Sequence, residues 1–266
     1  IFGWGPIPEY GVAGAAIATT IGRGTAVLFQ LYILFYGSTR IRLALKDFVV
    51  NIGVMINLIR VSIGGIGQFI IGTSSWIFLM RIISEFGSEV LAGYTIAIRV
   101  IMFTMMPAWG LSNAAATLVG QNLGANQPER AETSVWKTAK FNAFFMVAVS
   151  VIYLLFAKSI IGWFSVDPEV LKYGALSLQI VTIAYFLFAY GMTVTMAFNG
   201  AGDTKTPTII NFFCFWVFQL PFAYFTSLVL DWGPIGVFVA IALAESLIAV
   251  IAIVWFKKGK WKMIKV

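Results

Sequence analysis

Seven long apolar runs, separated by short polar breaks, dominate this chain and leave few ways for it to fold. They lie at 11–36, 61–84, 90–114, 140–157, 170–198, 208–230 and 235–256. Each is close to the length that crosses the roughly 30 Å hydrocarbon core of a bilayer as a helix. Only 11% of the 266 residues are charged and the mean hydropathy is +0.90, whereas a soluble domain carries about 25% charged residues. A membrane barrel would show alternating segments of ~10 residues instead. The expected class is all-α: a polytopic helical membrane protein with seven transmembrane helices.

Charge placement sets the expected orientation. Arg40, Arg42 and Lys46 follow the first run, Arg130 and Lys137 the third, and Lys205 the fifth. Lys257, Lys258, Lys260, Lys262 and Lys265 follow the seventh, and the opposite side has only Lys158 and Lys172. Positive charge accumulates on the cytoplasmic side, so the C-terminus is expected there, with the basic tail at 257–266 against anionic lipid headgroups. This distribution explains the net charge of +7 without nucleic acid. The chain opens at Ile1 with no basic n-region, so no signal peptide is expected, and it reads as a piece of a longer protein.

Residues 40–60 read differently. Ile41, Leu45, Phe48, Ile52, Met55 and Ile59 share one helical face, and Arg42, Lys46, Asn57 and Arg60 share the other. That pattern predicts an amphipathic helix lying in the cytoplasmic interface, joining the first span to the other six. Helix starts are expected at Pro128, and at Thr206 as N-cap before Pro207. Pro107 and the FNGAG stretch at 198–202 can bend or end their helices. Trp-Gly-Pro-Ile occurs at Trp4 and again at Trp232, each time before a Gly-Val step and an apolar helix.

Enzyme chemistry is poorly provided for. There is no histidine, and the one cysteine, Cys214, lies inside an apolar run; HExxH, GxSxG, P-loop and CxxC motifs are absent. No enzyme activity and no cofactor beyond a coupling ion are expected. Glu245, about ten residues into the last run, is the only acid deep in a span. An ionised side chain there costs roughly 2.5–3.5 kcal/mol on insertion scales unless it is protonated, paired or facing water. It is therefore the coupling-ion candidate, with an interhelical hydrogen bond or salt bridge as the competing reading.

Polar and soft residues recur at helical spacing on three runs. Gln68 and Ser75 lie on the second; Thr95, Arg99, Met102, Met106 and Asn113 on the third; Gln179, Phe186 and Tyr190 on the fifth. Such faces suit a water-filled cavity for amphipathic molecules, and they equally suit helix–helix contacts. Arg23, in the middle of the first run, joins these cavity candidates; Arg81 is expected to snorkel.

Three stretches carry a family resemblance: GSEVLAGYTIAIRVIMFTMMPAWGLSNAAATLVGQNLGANQPERAE (87–132), FNGAGDTKTPTIINFF (198–213) and GVAGAAIATTIGRGTAVLFQLYILF (11–35). Together they resemble the multidrug and toxic compound extrusion (MATE) family of secondary transporters. The resemblance implies two lobes of six helices with substrate bound between them. On that pattern, 1–38 holds the last helix of an N-terminal lobe and 39–57 the inter-lobe connection. Residues 58–256 form the six-helix C-terminal lobe, and the rest of the first lobe is a missing partner. It implies export of small organic cations or amphipathic drugs across the inner membrane by proton- or sodium-coupled antiport. A flippase of a lipid-linked precursor, with a more cationic cavity, is the alternative. Some branches of the family carry an acid in the second and fifth runs; here GQFIIGTSSWIF and VTIAYFLFAYGMTV have none.

Overall fold

A computed structural model describes Gly3, residues 8–36, Ala44, Lys46 and 49–263, without the side chains of Arg60 and Val61. The described residues form helices and turns only. Two compact units divide at Asn57 and Leu58. The first contains helix α1, Gly11–Tyr36. The second begins within α2, Ile52–Ser84, and continues through α3 (Ser88–Gly124), α4 (Pro128–Gly162), α5 (Pro168–Ile183) and α6 (Tyr185–Gly200). It ends with α7 (Lys205–Val229) and α8 (Pro234–Lys257). Among the described residues six helices are long and apolar enough to cross a membrane, or seven spans if the bent pair α5–α6 counts as one.

Most of the interfacial stretch expected at 39–57 lies outside the described residues, as does the first Trp-Gly-Pro-Ile copy. Its last part is not a separate element: Ile52–Asn57 opens the 33-residue helix α2. Asn51 Oδ1 accepts from the Val54 amide at 3.2 Å, serving the helix start. The second copy works as punctuation. The Trp232 and Gly233 amides donate to the Thr226 and Ser227 carbonyls at the end of α7, and Pro234 starts α8.

Pro128 opens α4 as expected. At α7 the cap differs from expectation. Thr206 is already the second residue of the helix, and Asp203 does the capping, accepting from the Thr206 amide at 3.1 Å and its hydroxyl at 2.6 Å. Pro107 sits in an unbroken α3, and the sharp break falls in the fifth apolar run, where α5 and α6 meet at 60°. Thr182 bonds back to the Leu178 carbonyl, while Ser150 of α4 donates to the freed Thr182 carbonyl at 2.7 Å. That supply of side-chain partners lets a buried helix bend without orphaned backbone. In α7, Pro221 lacks the amide an α-helix needs, and the flanking turns widen to i→i−5 bonding, as in Leu220 N–H to Phe215 O.

Within the second unit α3 packs on α4, α5 and α6, and α8 on α6 and α7. The contact faces are built from small residues: Ala131, Val135 and Ala139 of α4, and Ala240, Ala244, Ala249 and Ala252 of α8, are buried. Small side chains let helix backbones approach closely in a membrane, where no hydrophobic force draws helices together.

The tail folds back rather than lying free. Trp261 is 1% exposed, stacks on Phe256 at 4.5 Å and donates its indole N–H to the Phe256 carbonyl. Lys262 reaches Glu129 Oε1 at 2.8 Å and Glu132 Oε2 at 2.6 Å in the first turns of α4. The bonds to Glu129 and then Glu132 raise Lys262 above the ordinary lysine value of 10.5. A raised lysine stabilises fully below its ordinary value, so this contact holds at neutral pH and is lost as pH rises through the raised value. A surface pair contributes about 0–1 kcal/mol, and here Glu129 is exposed while Lys262 and Glu132 are partly buried. Lys262→Gln should therefore speed amide exchange at 259–263 by no more than about fivefold, with no change in the spans, as hydrogen-exchange mass spectrometry would read.

Candidate functional site

The C-terminal unit encloses a chamber of about 410 Å³ between α2, α3, α6, α7 and α8. Its wall is mostly apolar: aromatic and thioether side chains, including Trp76, Trp109, Phe188, Phe215, Met102, Met105 and Met192, stand beside aliphatic ones such as Leu79, Ile98, Ile101 and Ile241. Five polar side chains interrupt it: Ser75 from α2, Thr195 from α6, Asn211 and Gln219 from α7, and Glu245 from α8. Ser75 is buried and donates to Gln219 Oε1 at 3.1 Å, which fixes one wall. The Thr195 hydroxyl is buried without a hydrogen-bond partner. Among the described residues the half-buried Glu245 carboxylate forms no ion pair and accepts no hydrogen bond. The competing reading, a carboxylate tied to a neighbouring helix, is not what is found.

A larger recess of about 900 Å³ lies between α2 and α7. Its wall is apolar apart from Arg81 and Glu85, which pair at 3.0 Å and are exposed, consistent with a snorkelling arginine. It offers no convergent polar groups.

The stripes read from the sequence separate into four sets. Ser75, Met102 and Glu245 line the chamber. Gln68 and Gln179 hold helices together: Gln68 pairs with Asn199, and Gln179 donates to the Leu154 carbonyl at 3.0 Å. Thr95 and Asn113 bond within α3, to the Leu91 and Trp109 carbonyls. Arg99, Met106 and Phe186 are exposed and outside the chamber wall, and Tyr190, half-buried, packs on Phe186 at 5.3 Å. Arg23 is exposed on α1, in the first unit.

Sequence reading passed over Thr195, Asn211 and Gln219, although each is a polar residue inside an apolar run, the same signal that picked out Glu245. It also passed over Asn142, whose amide donates to Thr193 Oγ1 at 3.1 Å and Ser112 Oγ at 3.3 Å. This knot joins α3, α4 and α6.

A helical, multi-span chain with a largely apolar chamber inside its helix bundle defines the class: a polytopic helical membrane protein. The MatE family model matches residues 66–225, more than half the chain. The chain belongs to the MatE family. It is 29% identical over 270 residues to the probable multidrug resistance protein NorM of Thermotoga maritima, covering 98% of this chain and 56% of that protein. It is 24% identical over 250 residues to the FAD transporter of Shewanella oneidensis, covering 94% of this chain and 55% of the relative. An outward-facing multidrug resistance MATE family transporter matches in structure with a TM-score of 0.86 at 24% identity, over 94% of this chain and 56% of that one. The chain thus spans about half the length of the relatives it matches.

Proposed function

We propose that the full-length protein is a secondary transporter that exports small organic cations or amphipathic compounds by proton- or sodium-coupled antiport. One observation carries this reading: a carboxylate, Glu245, with no ion pair among the described residues, set among neutral oxygen donors in a chamber otherwise walled by aromatic, thioether and aliphatic groups. Oxygen ligands suit a proton or a hard monovalent ion, and a soft wall suits substrates held loosely. In this scheme residues 58–256 form one six-helix lobe, with α5–α6 as a single broken span. Residues 1–38 supply the last helix of the other lobe and 39–57 the connection. The basic connections support a cytoplasmic C-terminus, with the protein in the inner membrane. Ion binding at Glu245 removes a buried charge, and this difference between states biases the rocking of the two lobes.

A flippase for anionic lipid-linked precursors would call for a cationic chamber, whereas Glu245 is the one charged side chain in this wall. Full-length protein reconstituted in vesicles should move a fluorescent organic cation uphill when a proton or sodium gradient is imposed, and not after that gradient is collapsed. Equal rates with and without the gradient would overturn the antiport reading.

A further inference from the structure

Beside the chamber, α2 and the α6–α7 turn enclose a second recess of about 470 Å³, lined by Gly65, Gln68, Phe69, Met196, Asn199 and Thr204. Its end of the bundle is identified by the same turn: Asp203 and Thr206 line a small pocket together with Lys258 and Lys260 of the basic C-terminal segment. This recess is therefore a vestibule on the side proposed to be cytoplasmic. Met196 is the one residue common to the two walls.

Met196 is held in place. Gln68 and Asn199 exchange two amide bonds, Gln68 Nε2 to Asn199 Oδ1 at 3.1 Å and Asn199 Nδ2 to Gln68 Oε1 at 3.3 Å. Gln68 also donates to the Thr204 carbonyl at 3.3 Å, and Asn199 Nδ2 lies 3.9 Å from the Met196 sulfur. Behind the amides α2 is pinned to the turn. The Thr208 hydroxyl donates to the Gly64 carbonyl at 3.0 Å, and a Cβ on Gly64 would run into the Thr204 side chain. A thioether presents no full hydrogen-bonding group to a hydrated cation, and an apolar constriction blocks ions by excluding water. Methionine also turns about three single bonds, so this closure can open without moving a helix.

We infer that Met196, positioned by the Gln68–Asn199 amide pair, is the plug between the Glu245 chamber and the cytoplasmic vestibule, and that the coupling cation passes between Glu245 and the cytoplasm only when this side chain swings aside. The inference rests on the coupling role proposed for Glu245, but the barrier itself can be read separately. In full-length protein with Cys214 and any other cysteine replaced, Thr195→Cys places a thiol in the chamber wall. A membrane-impermeant methanethiosulfonate applied from the cytoplasmic face should react with it slowly. Adding Met196→Ala, or Gln68→Leu, which frees the amide that holds the sulfur without altering the chamber wall, should speed that reaction several-fold; Met196→Leu should leave it slow. Equal rates in all four proteins would overturn the plug. Should one opening variant fail to fold, the other reads the same barrier. With native Thr195, Met196→Ala should leak protons or sodium in the absence of substrate, and adding Glu245→Gln should stop the leak. If labelling accelerates while the leak ignores Glu245, the plug stands and the coupling role falls.

Discussion

Full-length protein carrying Glu245→Gln is expected to fold as well as the parent and to lose gradient-driven export down to the level of empty vesicles. The two halves of this result have separate causes. Glutamine keeps the volume of the side chain and removes a charge that costs roughly 2.5–3.5 kcal/mol near the middle of a span. Because the carboxylate has no ion pair among the described residues, no cation is stranded by its removal. The thermal midpoint in detergent should therefore stay level or rise. Coupling is lost because a carboxamide neither binds nor releases a proton and holds sodium weakly, so the two orientations of the lobes no longer differ in ion affinity. A ligand can shift an equilibrium only by its differential affinity for the two states. Measured by efflux and by ion uptake in the same vesicles, retained export with retained ion uptake would remove Glu245 from the mechanism. A lower thermal midpoint would point instead to a structural role.

Gly93→Leu is expected to damage the packing of the bundle severely. Gly93 of α3 faces Gly174 of α5, and even a Cβ at residue 93 would lie 2.7 Å from the Val170 carbonyl oxygen and 2.8 Å from the Gly174 nitrogen. Both are backbone atoms, so no rotamer change relieves the clash and the two helices must separate. Overpacking costs about 1–3 kcal/mol where side chains can adjust, and more where they cannot. Alongside Gly93 stand Val90, Tyr94 and Ala97, all buried, so separation also opens the packing beside Tyr94, a chamber-wall residue that stacks on Phe238. The monodisperse fraction after detergent extraction should fall sharply. Gly110→Ala serves as the control within the same helix: a Cβ there meets nothing within 4 Å, and alanine favours a helix by up to about 1 kcal/mol. Equal yields for the two variants would mean that the close approach of α3 and α5 is not required.

Helix number and class were legible in the chain because membrane insertion imposes length and hydropathy directly on the sequence. Every apolar run maps to a helix or a helix pair, and the resemblance in 87–132 leads to the family that the match over 66–225 supports. Glu245 was legible for a related reason: a charge deep in a span is costly enough to stand out against any background. Hydropathy sees a run of residues and not its shape, so the 60° break between α5 and α6 and the widened turns of α7 were invisible. Their causes, Ser150 on another helix and the missing amide of Pro221, are details of single hydrogen bonds.

The polar stripes show the division most clearly. A threonine, asparagine or glutamine on a helix face obeys the same spacing whether it meets water, a neighbouring helix or its own backbone. Gln68, Ser75 and Asn113 looked alike in sequence, yet one locks α2 to α6, one lines the chamber and one bonds to its own helix. What the sequence by itself determined is which segments are long and apolar enough to span a membrane, how the basic residues divide among the connections and where the one deep acid sits. Tertiary structure alone decided which polar groups share a cavity, that the acid there has no ion pair among the described residues, and that a single methionine lines two cavities. Those depend on how helices rotate and approach, which is set by small-residue contacts between segments far apart in the chain.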